Sequence, residues 1–404
     1  MAPMPPRSPF PWYLGGASLW FAAASLQVFL LQWLFVGELG IRPMDYGLIR
    51  AFLETPALAL LLVGGVIGDR VDRRRLLVGL SLLACIPPLA IVATADALSF
   101  WPLVAFGASL AFLQSLSDPA RQSMLSAVAP TDMQRTVTVM TIVTTLTGIG
   151  GYWVGGQLEA LGLRTVLAIQ AACFFASGLA VLRLPPGVGG GVARPGRGLA
   201  SGFVVLWRLP LLRNVILLNL FSSMFNAGAY LVGMPFIARD IYGGNEAFFA
   251  LMMMVFTAGT VGCNVVLLAL MPLRRPGRAF VAMQLTRIVI LVALWLEPPQ
   301  WLFFVLLAAW GVNMGVTSTV ARAMVQELAP AEHRAQVLSV FLFGFMVAAP
   351  VSSLVLGAVI DFAGPTTGLL PGVPVSLMLF AGALAAGLWR FESPSAAGRA
   401  GGSA

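Results

Sequence analysis

The feature of this sequence that most constrains its fold is a series of apolar runs, each long enough to cross a lipid bilayer. A transmembrane helix needs about 20 mostly apolar residues, and twelve such runs occur in the chain of 404 residues. They lie near residues 13–37, 46–68, 76–95, 100–120, 136–158, 164–184, 212–237, 246–270, 279–296, 301–322, 335–360 and 373–391. Because the runs are continuous and do not alternate in short segments, they exclude a β-barrel. The sequence therefore predicts an all-α integral membrane protein with twelve transmembrane helices.

The composition excludes several functional classes. Apolar residues make up 59% of the chain and charged residues 10%, whereas a soluble domain has about a quarter of its residues charged. A water-soluble enzyme, a disulfide-stapled secreted domain and a disordered chain are therefore excluded. The three cysteines have no paired spacing, and no phosphate-binding loop, zinc spacing or nucleophile triad occurs. We therefore expect no catalytic residue, metal or cofactor.

A linker divides the twelve spans into two sets of six. The stretch from Pro185 to Leu209 is rich in Gly, Pro and Arg, a composition typical of flexible connections. We therefore predict an N-terminal six-helix bundle over 1–184, a linker over 185–211 and a C-terminal six-helix bundle over 212–404.

An internal repeat indicates that the two bundles are pseudo-symmetric. Residues 123–132 and 323–332 share a Met, an Ala-Pro pair and an acidic residue at the same positions. Each segment follows the fourth span of its half. Repeats of this kind place one substrate site between two halves in many transporters.

The arginines predict the orientation in the membrane. All 24 basic residues are arginine, and 19 of them, including Arg121, lie at the termini and in the even-numbered loops. Because positive charge is enriched in cytoplasmic loops, both termini and the linker are predicted to be cytoplasmic, in a bacterial inner membrane. The net charge of +8 is then a matter of topology, and we expect no nucleic-acid partner.

The loop after the second span resembles a signature of the major facilitator superfamily, in which Gly, Asp and several basic residues join helices two and three. The matching residues are Gly65, Asp69, Arg70, Arg73 and Arg74. The resemblance implies a charge relay that gates an alternating-access cycle, with Asp118 of the fourth span as an acidic member. Asp69 and Arg73 are four residues apart and can pair across one helical turn. Alternatively, these charges merely set the topology.

The fifth span is similar to the Gly-Pro-x-x-Gly-Gly motif of proton-driven exporters in this superfamily. Gly151, Gly155 and Gly156 allow close helix packing, although Tyr152 stands at the usual proline position. The equivalent span of the second half keeps a proline, Pro350. The pattern resembles the branch of siderophore (enterobactin-type) and multidrug exporters.

Ionisable residues at membrane depth suggest function, because they are costly there. Glu54 of the second span is a candidate for proton coupling, and Arg50 lies one turn away. The alternative is a permanent ion pair between the two. Arg287 of the ninth span either binds an anionic substrate or extends its charge to the membrane surface.

Polar side chains in the first, seventh and tenth spans are candidates for lining a substrate cavity. Four of them share one face of the seventh span, which must contact protein or water and not lipid. The candidates, with Arg287, are Gln27, Gln32, Asn219, Ser222, Ser223, Asn226, Asn313 and Thr317. The alternative is hydrogen bonding between helices.

These features together predict a monomeric secondary transporter that exports small amphipathic compounds in exchange for protons. Facilitated uptake or lipid flipping without protons is one alternative. A receptor or scaffold that transports nothing is another.

Overall fold

The computed structural model describes residues 9–63, 72–128, 133–185, 199–270 and 273–393. Within these ranges the regular secondary structure is helical throughout. The helices of the first half are α1 (Phe10–Trp33), α2 (Pro43–Val63), α3 (Arg73–Leu83), α4 (Ile86–Ala93), α5 (Phe100–Val128), α6 (Met133–Gly155), α7 (Leu158–Leu161) and α8 (Leu163–Leu182). A π-helical turn, Leu34–Glu38, prolongs α1. Together α3 and α4 form one span, interrupted before Pro87 and Pro88 because proline lacks the amide that bonds one turn back.

The second half begins with a short helix in the predicted linker. The helices are α9 (Leu199–Arg208), α10 (Pro210–Gly228), α11 (Met234–Phe236), α12 (Glu246–Leu270), α13 (Pro276–Trp295), α14 (Gln300–Leu328), α15 (Arg334–Ala363) and α16 (Gly372–Ala385). Two π-helical turns, Ala229–Gly233 and Ile237–Ile241, continue the seventh span beyond α10. Such turns change the helical register and so rotate the side chains that follow.

Each of the twelve predicted spans overlaps a helical segment, and the all-α membrane fold is confirmed. Within the described residues, ten segments are long and apolar enough to cross a membrane. The other two are the second span, whose described part ends at Val63, and the fifth, whose apolar part is Val139–Gly155. The first turn of the fifth span is polar in sequence, which shortens its apolar stretch.

The helices group into two compact units. Unit 1 contains residues 1–40, 55–194 and 246–251, and unit 2 contains residues 41–54, 195–245 and 252–404. The main division, after Arg194, falls inside the predicted linker. Two short pieces, 41–54 and 246–251, group with the unit built mainly from the other half of the sequence.

In unit 1, α1 and α6 approach closely because glycines of α6 face α1. A Cβ atom at Gly151 would collide with the backbone oxygen of Ala22, and one at Gly155 would collide with the ring of Phe29. Small residues allow this approach and the dispersion contacts that come with it.

In unit 2, a buried apolar core joins α9, α10, α13, α14 and α15. Its members include Leu206, Leu212, Phe280, Met324 and Val337. The core fixes the relative positions of α10, α13 and α14. These three helices carry the polar cluster described next.

Candidate substrate-binding site

The polar cluster of unit 2 is centred on an arginine in the middle of α13. Arg287 is the twelfth of the 20 residues of this helix, about 17 Å from its start along the axis. Its exposed fraction is 3%. Since α13 begins earlier than predicted, Arg287 lies deeper than the sequence indicated. Its charge is held inside unit 2 and does not extend to a surface.

The Arg287 guanidinium donates hydrogen bonds to four neutral side chains. Nε donates to Oδ1 of Asn313 at 3.2 Å, and Nη2 donates to Oγ1 of Thr317 at 3.3 Å. Nη1 donates to Oγ of Ser222 at 2.6 Å and to Oε1 of Gln284 at 3.3 Å. Among the described residues, Arg287 forms no salt bridge. The charge is therefore solvated by dipoles and not neutralised.

One face of α14 completes the cluster. Trp310, Asn313 and Thr317 are buried and follow each other at helical spacing. The indole Nε1–H of Trp310 donates to Oδ1 of Asn226 on α10. Because an indole nitrogen can only donate, this bond fixes which end of the Asn226 amide is oxygen. The two N–H donors of Asn226 are left for other partners.

A small cavity lies beside the guanidinium. Its volume is about 10 Å³, room for about one water molecule. Its polar lining is Ser222, Asn226, Arg287 and Ser376, and its aromatic lining is Phe225 and Trp310. The Oγ of Ser376 is buried and has no hydrogen-bond partner in the described part of the chain. The site thus combines hydrogen-bond donors with aromatic surface.

Five residues predicted for the substrate cavity meet in this cluster. They are Ser222, Asn226, Arg287, Asn313 and Thr317. Asn219 is buried one turn before Ser222, and its Oδ1 has no hydrogen-bond partner among the described residues. Ser223, on the same helix, is partly buried.

The two predicted glutamines of α1 lie in unit 1 and not in the cluster. The Oε1 of Gln27 accepts a hydrogen bond from Nε2 of Gln170 at 2.7 Å. The Nε2 atoms of Gln27 and Gln32 are buried without hydrogen-bond partners in the described part. In this structure Gln27 therefore joins α1 to α8, as the alternative of interhelical bonding predicts.

Sequence reasoning missed three members of the Arg287 site. Gln284 lies one turn before Arg287, and Trp310 lies one turn before Asn313, so helical spacing could have found both. Ser376 of α16 has no such signal, because it is a lone hydroxyl in an apolar helix.

In α2, the predicted pair of ionisable residues is an ion pair. Nη2 of Arg50 donates to Oε1 of Glu54 at 2.8 Å. The Arg50 side chain is 8% exposed and the Glu54 side chain is 31% exposed. The Glu54 carboxylate is therefore partly accessible from outside the protein, whereas the Arg50 guanidinium is not.

Part of the predicted gating motif falls outside the described residues. These members are Gly65, Asp69 and Arg70. Arg73 is the first residue of α3. The pairing of Asp69 with Arg73 therefore stays a prediction.

The described part of this loop anchors the start of α3. Asp72 stands where the superfamily signature has glycine, and it caps the helix by accepting from the backbone N–H of Arg74 at 2.8 Å. The Arg74 side chain donates to the carbonyl oxygen of Leu182 at 2.6 Å. Leu182 is the last residue of α8, an end where a cation is favourable.

Asp118 and Arg121 lie on α5 in unit 1. Asp118 is partly buried and forms no salt bridge with the described residues. The sequence pattern places Arg121 in a loop, but it lies within α5 and is 4% exposed, so that placement is wrong. Its Nε donates to Oγ of Ser117 at 2.8 Å, and its Cζ lies 4.1 Å from the ring centre of Trp20. The aromatic face stabilises the buried cation.

The remaining residues of the exporter-like motif also lie in helices. A Cβ atom at Gly156 would lie 2.6 Å from that of Ala250, within unit 1. Pro350 lies inside α15, where it removes one backbone hydrogen bond. Nearby, Oγ of Ser353 donates to the oxygen of Ala349 at 3.0 Å.

The fold and the site together define a membrane carrier: apolar helices in two units, with a buried polar cluster at membrane depth. Among the described residues, no group of three His, Cys, Asp or Glu side chains could hold a metal ion. The family model of the Major Facilitator Superfamily matches residues 13–296, well over half of the chain. The chain belongs to the Major Facilitator Superfamily, whose members are carriers and not enzymes.

Individual proteins are similar to this chain at low sequence identity. The uncharacterized MFS-type transporter YfiS of Bacillus subtilis (strain 168) is 27% identical over 150 residues, which is 37% of this chain and 35% of that protein. The structure of the nucleoside transporter NupG has a TM-score of 0.74 at 15% identity, covering 94% of this chain and 98% of that one. A D-xylose-proton symporter has a TM-score of 0.68 at 14% identity, covering 91% and 95%. These two structural similarities concern the fold alone.

Proposed function

We propose that this chain is a secondary active transporter of the siderophore and multidrug exporter branch, which carries small amphipathic compounds out of the cell in exchange for protons. It acts as a monomer in the inner membrane, with both termini cytoplasmic. The predicted domains 1–184 and 212–404, joined by the linker 185–211, alternately expose the site to each side.

The observation that carries the substrate class is the mixed lining of the Arg287 site. Hydrogen-bond donors of Arg287, Asn226 and Ser376 lie next to the rings of Phe225 and Trp310. Such a lining suits the polar end of an amphipathic ligand, whose apolar body must lie outside this cavity because the cavity has room for about one water molecule. A sugar would need polar partners around its whole surface.

The proton-coupling role is assigned to the Arg50–Glu54 pair. The Glu54 carboxylate is partly exposed while its partner is buried, so protons can reach it when the pair opens. A cycle that separates the pair would therefore bind a proton, and one that restores it would release the proton.

The test is transport by the purified protein in proteoliposomes. Vesicles are loaded with a pH-sensitive dye, a proton gradient is imposed, and amphipathic dyes of both charges are added one at a time. At least one dye should be transported against its gradient, with a matching proton flux. A protonophore should abolish the accumulation, and accumulation that persists would contradict proton coupling.

Two variants assign the roles. Glu54→Gln keeps the hydrogen bond but cannot ionise, so it should strongly reduce dye-coupled proton flux. Asp45→Asn is the matched control, because Asp45 lies on the same helix as Glu54 and pairs with Arg42, which precedes the helix, but is 40% exposed. The double variant Asn219→Leu with Asn226→Leu should weaken dye binding, and unchanged binding would return these residues to a packing role.

A further inference from the structure

The Arg287 side chain differs from the other buried arginines of the described chain in its electrostatic surroundings. Arg50 is paired with Glu54 at 2.8 Å. Arg121 interacts with Asp118 and lies over Trp20. The helix of Arg287, α13, contains no Asp or Glu, and Arg287 forms no salt bridge with an acidic side chain among the described residues. Its charge is thus the one buried arginine charge in that part of the chain without a negative neighbour.

The four neutral side chains that accept hydrogen bonds from Arg287 do not neutralise its charge. A buried charge without a counter-ion is unfavourable even when it is hydrogen-bonded. The four acceptors around Arg287 supply dipoles and no net negative charge. An anion at van der Waals distance from the guanidinium would relieve this deficit.

The adjacent cavity is lined by side chains that carry hydrogen-bond donors, and one of them has no partner in the described part of the chain. Oγ of Ser376 is buried and has no partner in the described part of the chain. Oγ of Ser222 accepts from Arg287, which leaves its own proton to donate. Asn226, whose amide oxygen accepts from Trp310, also lines the cavity, and its NH2 group can only donate. Four donor groups and no carboxylate surround the space.

From this arrangement we infer that the cavity beside Arg287 is a binding site for a small anionic group. The cavity is about 10 Å³ in volume, close to the size that holds one water molecule. A chloride ion has a larger radius than a water molecule, so the cavity walls must move apart slightly to admit it. The carboxylate end of a transported compound would present the same charge and acceptor oxygens. The carboxylate of a transported compound as the ligand rests on the proposed function, whereas a bound halide ion does not.

The test measures anion binding to the purified protein, with no transport involved. The protein is kept in detergent with sodium gluconate at constant ionic strength, and gluconate is replaced stepwise by chloride or by acetate. Binding to the folded state should raise the Tm with the logarithm of the anion concentration above its Kd, by about 2 °C or more. The fluorescence of Trp310, obtained as the difference from Trp310→Phe, should change over the same concentration range.

Variants separate this site from general salt effects. Arg287→Gln should lose both responses, and Ser376→Ala should require about tenfold more anion for half of the fluorescence change. Arg121→Gln is the matched control: it removes a buried arginine of unit 1 and should keep the full response. If Arg287→Gln does not fold, Ser376→Ala and the fluorescence signal still decide the outcome.

The outcomes distinguish the ligand sources. Responses to chloride that depend on Arg287 identify a halide site. A response to acetate and not to chloride identifies a site for the carboxylate of a transported compound. No response to either anion means that the cavity holds only water and overturns the inference, as does a response kept by both Arg287→Gln and Ser376→Ala. None of these results depends on proton-coupled flux, so a failure here is separate from a failure of the proposed function.

Discussion

Adjacent glycines of α6 provide a sharp test of the packing between α1 and α6. Gly151 is buried, and a Cβ atom there would collide with the backbone oxygen of Ala22, whereas a Cβ atom at Gly150 meets no atom within 4 Å. A backbone oxygen cannot move aside as a side chain can, so the helices must separate. Overpacking of this kind costs about 1–3 kcal/mol. An exposed Gly→Ala change inside a helix stabilises it by up to about 1 kcal/mol. We therefore expect Gly151→Ala to destabilise the protein and Gly150→Ala to be neutral or stabilising.

The measurement is unfolding in mixed detergent micelles with increasing dodecyl sulfate, followed by circular dichroism. The two variants add the same methyl group to neighbouring positions, so helix propensity affects both alike. Their difference reports the contact with Ala22. Equal changes in the free energy of unfolding, or a more stable Gly151→Ala, would refute the proposed close packing.

Two further predictions concern ionisable groups. Glu54→Ala should lower the free energy of unfolding more than Arg50→Ala does, because it leaves the less exposed charge, that of Arg50, unpaired. Breaking a buried pair costs about 3–5 kcal/mol, and the double variant should lose less than the sum of the two single losses. Equal losses for the two single variants would contradict this. Burial and the nearby Glu297 carboxylate raise the pKa of Tyr242 from 10.0 to about 12, while its hydroxyl donates to the oxygen of Pro298 at 2.7 Å. The stability that this neutral phenol provides is complete below pH 10 and is lost as the pH rises towards 12, so the free energy of unfolding should fall over that range more steeply for wild type than for Tyr242→Phe.

The spans could be predicted from the sequence because lipid imposes a length on apolar runs. The helix ends could not. α5 was expected over 100–120 and extends to Val128, and α14 was expected over 301–322 and extends to Leu328. Backbone hydrogen bonds continue a helix after its side chains become polar, so hydropathy marks the membrane boundary and not the end of the helix.

The part of the candidate site that lies on a single helix could be predicted from the sequence. The spacing of Asn219, Ser222 and Asn226 placed all three on a protein-facing side of the seventh span, and all three are buried. The contacts of Ser222 with Arg287 and of Asn226 with Trp310 join helices far apart in sequence. Such contacts depend on how helices pack, which periodicity within one helix does not encode.

The unneutralised charge of Arg287 has a consequence for how membrane potential acts on the cycle. Moving one elementary charge through 100 mV corresponds to about 2.3 kcal/mol. When no anion is bound, movement of the site across part of the transmembrane electric field also moves the positive charge of the guanidinium. When an anion is bound, the two charges cancel and the crossing is electrically silent at this position. If the proposed anion site moves through the field during transport, an inside-negative potential would therefore draw the empty site towards the cytoplasm and leave the anion-loaded site unaffected.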